Sequence, residues 1–263
     1  MENRSRWWGP YAFELGQRRA WQLGSLRLRI TRHAGEWLLC YHRPAVQPED
    51  EQDWQVLPDD ADLGLPLHQA RYLFAQTGGS LALMPRLADR SVVVRPMRPI
   101  FIPAGQQGSL FVSTPLWVAG YPPQQREALF DLPVIRPNDT WFGADTQRGQ
   151  IAYATPVFAR TELVHLTPRA FRAVTPVHFR NASGIQHQLD RLNLPVPNLP
   201  LYYSPSQGRF WTSQIEVIWE STGRGARIRI EQALPLQAGP VEFVHAPRSN
   251  DKMLLHVLDG FFD

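Results

Sequence analysis

The sequence predicts an all-β protein: an antiparallel, β-sandwich-like fold with an N-terminal β-meander and a short C-terminal helix. Three observations predict it. Short runs of alternating apolar and polar residues recur between Ser91 and Glu231, most clearly over residues 108–117 and 210–219. A period of two gives a strand one dry face and one wet face. The 24 prolines are spread along the chain, and each one in a helix interior would remove a donor and clash with the preceding turn. Finally, 43% of the residues are apolar and nine are tryptophan, enough to fill a core and far from the composition of a disordered chain.

The elements follow in order. Residues from about 11 to 42 read as a meander of three or four strands, with 20–23, 26–30 and 36–42 separated by Gly24-Ser25 and by His33-Ala34-Gly35. Residues 44–65 hold Glu49, Asp50, Glu51, Asp53, Asp59, Asp60 and Asp62. Their spacing does not match a calcium loop, and a solvated connection is expected. Residues 70–75 and 80–84 flank Thr77-Gly78-Gly79, which reads as a hairpin. Further strands are expected over 91–94, 99–103, 108–118, 127–135, 150–158 and 160–166. More follow between Thr175 and Glu231, where Arg227, Arg229 and Glu231 share one face of a strand and Ile228 and Ile230 the other. Ser249, Asn250 and Asp251 supply N-cap chemistry, and Met253, Leu254, Val257 and Phe261 fall at helical spacing, so a C-terminal helix is expected. The chain divides into a meander region over 1–88 and a sandwich domain over 89–263, with one continuous domain as the alternative.

Composition narrows the function. The net charge of +3 is too small to argue for nucleic acid. Lys252 is the sole lysine among 27 cationic residues, and the arginines are scattered as on an ordinary solvated surface. One cysteine, Cys40, forms no internal disulfide, and no apolar segment follows the N-terminus to act as a secretory signal. The longest apolar stretch, residues 110–121, is broken by Pro115 and falls short of the ~20 residues a spanning helix needs. These features read as a soluble cytoplasmic protein that does not span a membrane.

No catalytic signature stands out. The histidines lack metal-ligand spacing, no metal or other cofactor is expected, and there is no phosphate-binding glycine loop or nucleophile elbow. The interval most like a ligand site is residues 136–149. It gathers Arg136, Asp139, Trp141, Asp145 and Arg148, polar groups beside an aromatic platform. The competing reading is structural: Asp139 caps a turn and Trp141 anchors it in the core. Trp7 and Trp8, beside Gly9-Pro10, form a second candidate, a contact to a partner. Trp117, Trp211 and Trp219 are expected in the core.

Several motifs carry a resemblance over residues 21–231. Trp21-Gln-Leu-Gly-Ser-Leu26, Phe111-Val-Ser-Thr-Pro-Leu-Trp117, Asn138-Asp-Thr-Trp-Phe-Gly143, Ala173-Val-Thr-Pro-Val177 with Arg180-Asn181, and Leu192-Asn-Leu-Pro-Val-Pro197 resemble a prokaryotic family known as domain of unknown function 432. The resemblance implies no activity and no catalytic residues. Members are sometimes encoded near small mechanosensitive channels, which implies a membrane channel as a partner. Two functions are therefore carried forward: a non-enzymatic binding or regulatory module for a protein partner or small ligand, and a hydrolase-like or sugar-processing enzyme using the carboxylates of residues 136–149 as an acid–base pair.

Overall fold

The structure, a computed structural model, describes residues 6–44, 53–96, 98–123, 125–143, 149–220, 226–231 and 234–248. The helix expected beyond Ser249 lies outside the described residues. Within them the protein is all-β, and no helix is long and apolar enough to cross a membrane.

The first seven strands are β1 (Gly9–Ala12), β2 (Arg18–Leu23), β3 (Leu26–Arg32), β4 (Glu36–His42), β5 (Trp54–Leu57), β6 (His68–Leu73) and β7 (Ser80–Arg86). Next come β8 (Val92–Val94), β9 (Ile100–Ile102), β10 (Gln107–Pro115), β11 (Trp117–Tyr121) and β12 (Phe130–Pro133). After them run β13 (Asn138–Gly143), β14 (Gly149–Ala154), β15 (Phe158–Arg160), β16 (Arg172–Asn181), β17 (His187–Leu189) and β18 (Leu192–Leu194). The last are β19 (Leu201–Ser204), β20 (Arg209–Thr212), β21 (Ile215–Trp219), β22 (Ala226–Ile230) and β23 (Glu242–His245). The strands form two compact units, one of Met1–Arg86 with Leu116–Arg136, the other of Leu87–Pro115 with Pro137–Asp263.

In the first unit β2, β3 and β4 form the meander, extended to five strands in the order β5-β2-β3-β4-β6, and a four-stranded sheet runs β1-β7-β11-β12. Aromatic edges join the two sheets. Tyr11 and Trp21 meet edge-on at 5.0 Å and Phe13 meets Trp37 at 5.1 Å, geometries favoured by the ring quadrupole. Trp21 and Trp37 are fully buried, and so is Trp7, whose carbonyl accepts a 2.6 Å bond from the Tyr11 hydroxyl.

Thr77-Gly78-Gly79 does not close a hairpin. β6 pairs with β4, while β7 pairs with β1 and β11. The segment instead carries the chain from one sheet to the other. Arg32 fixes the crossing: Nε donates to Thr77 Oγ1 at 3.1 Å, and Nη2 donates to the Thr77 carbonyl at 2.9 Å. Thr77 Oγ1 donates to the His33 carbonyl at 2.7 Å, and the Phe13 amide donates to the Gly79 carbonyl. A buried threonine whose bonds are all tertiary outweighs the local turn preference.

In the second unit an eight-stranded sheet runs β15-β10-β16-β20-β19-β23, with β21 and β22 added beside β16. At ten residues, β16 is long enough to share one edge between β20 and β21, both parallel to it. A four-stranded sheet runs β13-β14-β8-β18, and β9 pairs with β17. Residues 160–166, expected as a strand, hold instead a 3-10 turn at Leu163–His165. A three-residue turn aligns Leu163 with Leu166, and both pack on the cluster of Phe111, Val174 and Trp211 while Val164 points out. The period here is three rather than two.

Candidate binding face

The β13–β14 hairpin is a product of alternation. In β13, Asp139, Trp141 and Gly143 share one face, opposite Tyr153, Ile151 and Gly149 of β14. The other face turns Phe142 and Ala152 onto Val93, closing a small core. The Arg191 guanidinium stacks 5.0 Å above Phe142 and donates to the Gly143 carbonyl at 3.3 Å. The strand pair is thus fixed from behind by Phe142, Ala152 and Arg191.

On the opposite face Trp141 is 41% exposed and Ile151, its cross-strand neighbour, 54%. An apolar pair at this register stands on a sheet surface rather than in a core. The indole lies over Gly149: a Cβ there would fall 2.5 Å from its Cε2. Beside the indole, Arg90 Nη1 lies 3.1 Å from Asp139 Oδ1. Arg90 also sits 5.3 Å from the Tyr153 ring centroid. The Tyr153 hydroxyl donates to Asp89 Oδ1 at 3.0 Å. Burial, joined by that bond to a carboxylate, pushes Tyr153 up to about 12, so the phenol is a permanent donor at neutral pH. Both members of the Arg90–Asp139 pair are well exposed, so it contributes orientation and charge pattern more than stability.

The structure therefore brings together Asp139 and Trp141 of the expected set. Asp145 and Arg148 lie outside the described residues. Arg136 belongs to the first unit, where it is exposed and close enough to Arg43 for the two charges to repel. Trp7 is enclosed in the core of that unit. Trp8 is half-buried and carries the Arg6 guanidinium 4.2 Å above its ring. Arg90, Ile151 and Tyr153 were not selected by the sequence reading. Ile151 and Tyr153 had a legible signal, since they alternate on the strand after Gly149. Arg90 had none, because its partner is 49 residues away.

A second polar group lies on the eight-stranded sheet. Strand register aligns Ser109, His178, Glu216 and Arg229 across β10, β16, β21 and β22. The buried Glu216 carboxylate lies 3.2 Å from Arg180 Nε and 3.0 Å from Arg229 Nη2, and Ser109 Oγ is 3.1 Å from His178 Nδ1. Arg180, Arg227 and Arg229 thus border one face, with Glu216 set between the first and last. Among the described residues no group of three or more His, Cys, Asp or Glu side chains is placed to hold a metal ion.

An all-β chain of two compact units is the class that the fold defines. The chain belongs to the DUF432 family of proteins of unknown function, whose model matches residues 7–257. No curated protein and no solved structure matches it.

Proposed function

We propose that this protein is a non-enzymatic binding or regulatory module that recognises a protein partner through the exposed face of the β13–β14 hairpin. The observation that carries the reading is the pairing of Trp141 with Ile151 on a sheet surface beside the Arg90–Asp139 ion pair. Aromatic anchors ringed by charge are what protein interfaces use for affinity and register. β13 is also at the edge of its sheet among the described residues, so an extended segment of the partner can add to it. A cytoplasmic setting and a membrane channel as the partner are part of the same proposal, resting on the genomic neighbourhood of the family. Trp8 with Arg6 is the second contact proposed, in place of the enclosed Trp7.

Asp139 favours binding over acid–base chemistry, because its side chain is exposed and engaged by Arg90. A tagged pull-down from solubilised native cells, comparing wild type with Trp141→Ala, tests the proposal. A membrane protein retained by the wild type and lost by a folded Trp141→Ala supports it. Turnover of a glycoside or ester that Asp139→Asn abolishes would overturn it in favour of the enzyme.

A further inference from the structure

Two rows of side chains cross the four-stranded sheet of the second unit towards the outer edge of β13. The first row is charged. Asp89 and Arg90 lie on the segment that enters β8, Tyr153 is on β14 and Asp139 on β13. Register sets Tyr153 opposite Val92 on one side and opposite Asp139 on the other. Asp89 Oδ1 accepts from the Tyr153 hydroxyl at 3.0 Å, and Arg90 lies over the Tyr153 ring with Nη1 3.1 Å from Asp139 Oδ1. The signs therefore run minus, plus, minus, and the row ends at the sheet edge on a carboxylate. Two carboxylates share one guanidinium, so the row carries a net negative charge. The Asp139 side chain is 68% exposed, and Arg90 engages only its Oδ1, with no second donor among the described residues. Asp139 and Tyr153 stand at the end of the hairpin away from Gly143 and Gly149. The second row is apolar: Ile151 on β14 and Trp141 on β13, on the same face and two residues along from Tyr153 and Asp139.

Resting on the reading of this hairpin as the binding face, we infer that the partner's segment is a β-strand carrying a lysine or arginine two residues from a large apolar side chain. Among the described residues β13 has a neighbour, β14, on one side only. A strand added to its other side lies ~4.8 Å away and continues both rows. The residue opposite Asp139 meets the second carboxylate oxygen. A cation there extends the alternation of sign, whereas a carboxylate would face Asp139 directly and be repelled. The residue opposite Trp141 packs on the indole beside Ile151, where a large apolar side chain removes the most area from water. Side chains on one face of a strand recur at every second residue, so the two requirements fix a spacing of two in either strand direction.

Fluorescence polarisation of labelled strand peptides with the full chain tests the inference. The probes are two short threonine-rich peptides, each carrying one leucine and, two residues from it, either lysine or glutamate. The lysine peptide is expected to bind about fivefold more tightly, since attraction replaces repulsion across one strand pair. The gap should narrow as salt is raised. Asp139→Asn should remove the preference, Asp139→Lys should reverse it, and Trp141→Ala should weaken both peptides while the preference remains. Equal binding of the two peptides by the wild type, or a preference unmoved by both Asp139 variants, overturns the inference. If Trp141→Ala still weakens both peptides in that case, the binding face itself stands. No binding of either peptide, or binding indifferent to Trp141→Ala, contradicts the face and the inference together.

Discussion

Trp141 rests on the bare backbone of Gly149 across the β13–β14 hairpin, with no room for a methyl group between them. The contact holds the indole flat beside Ile151. Gly149→Ala is expected to lift the indole away while costing no more than about 1–2 kcal/mol, since an exposed ring can move aside. Fluorine NMR of fluorotryptophan-labelled protein, with the resonance assigned through Trp141→Phe, reads this as a shift confined to Trp141. An unmoved resonance would show that the ring does not depend on the glycine.

Glu216 bridges Arg180 and Arg229 from a largely buried position. Glu216→Gln keeps the shape and takes the carboxylate from Arg180, while Arg229 keeps Glu231 at 2.6 Å. Both arginines are more than half exposed, so solvent screens them and the expected loss is about 1–2 kcal/mol, below that of a fully buried pair. Urea denaturation measures it, and the loss should shrink in Arg229→Gln, where one cation is already gone.

Trp7 and Trp8 should separate cleanly. Trp7 is fully buried, so Trp7→Ala is expected to cost about 3–5 kcal/mol. Trp8 is half-buried under Arg6, and Trp8→Ala should cost about 1 kcal/mol, chiefly through the cation–π contact. Equal losses in denaturation midpoints would remove Trp8 as a surface for partners.

His187 gives a pH dependence with a definite sign. Its ring stacks on Trp219 at 5.2 Å and its Nε2 is 2.8 Å from Ser183 Oγ, while burial lowers it from its ordinary value of 6.5. The unfolded chain therefore takes up the proton first. Stability from this group is intact above the ordinary value and falls as pH drops through it towards the lower folded value. His187→Gln should flatten the acid side of the stability curve relative to wild type. An unchanged curve would mean that other groups set it.

Asn181 organises the same corner. Its buried Nδ2 reaches the carbonyls of Ile102, Pro103 and Ile185 within 3.0 Å, and its Oδ1 accepts from the Ser183 amide. Asn181→Ala strands those groups, an expected loss of about 2–3 kcal/mol. Calorimetric melting checks it, and a loss under half that would show water replacing the side chain.

Strand texture was legible because side-chain period is local. Arg227 and Arg229 face solvent and Ile228 faces the core, as alternation requires. The shared face of Asp139 and Trp141 follows from the same rule. Strand order was not legible. Thr77 crosses between sheets because Arg32, far away in sequence, binds it, and Glu216 meets Arg180 only through a parallel pairing. The turn at Leu163–His165 escaped for another reason: Leu163 and Leu166 fit a period of three that a short apolar run does not distinguish from a strand.

The most direct measurement is photo-crosslinking in native cells from a probe amino acid placed at Ile151, with a probe at exposed Leu73 of the first unit as the control. The account predicts one discrete protein adduct from position 151, absent from position 73 and lost when Trp141→Ala is added. No adduct at 151, or the same adduct after Trp141→Ala, would contradict a partner-binding face on the β13–β14 hairpin.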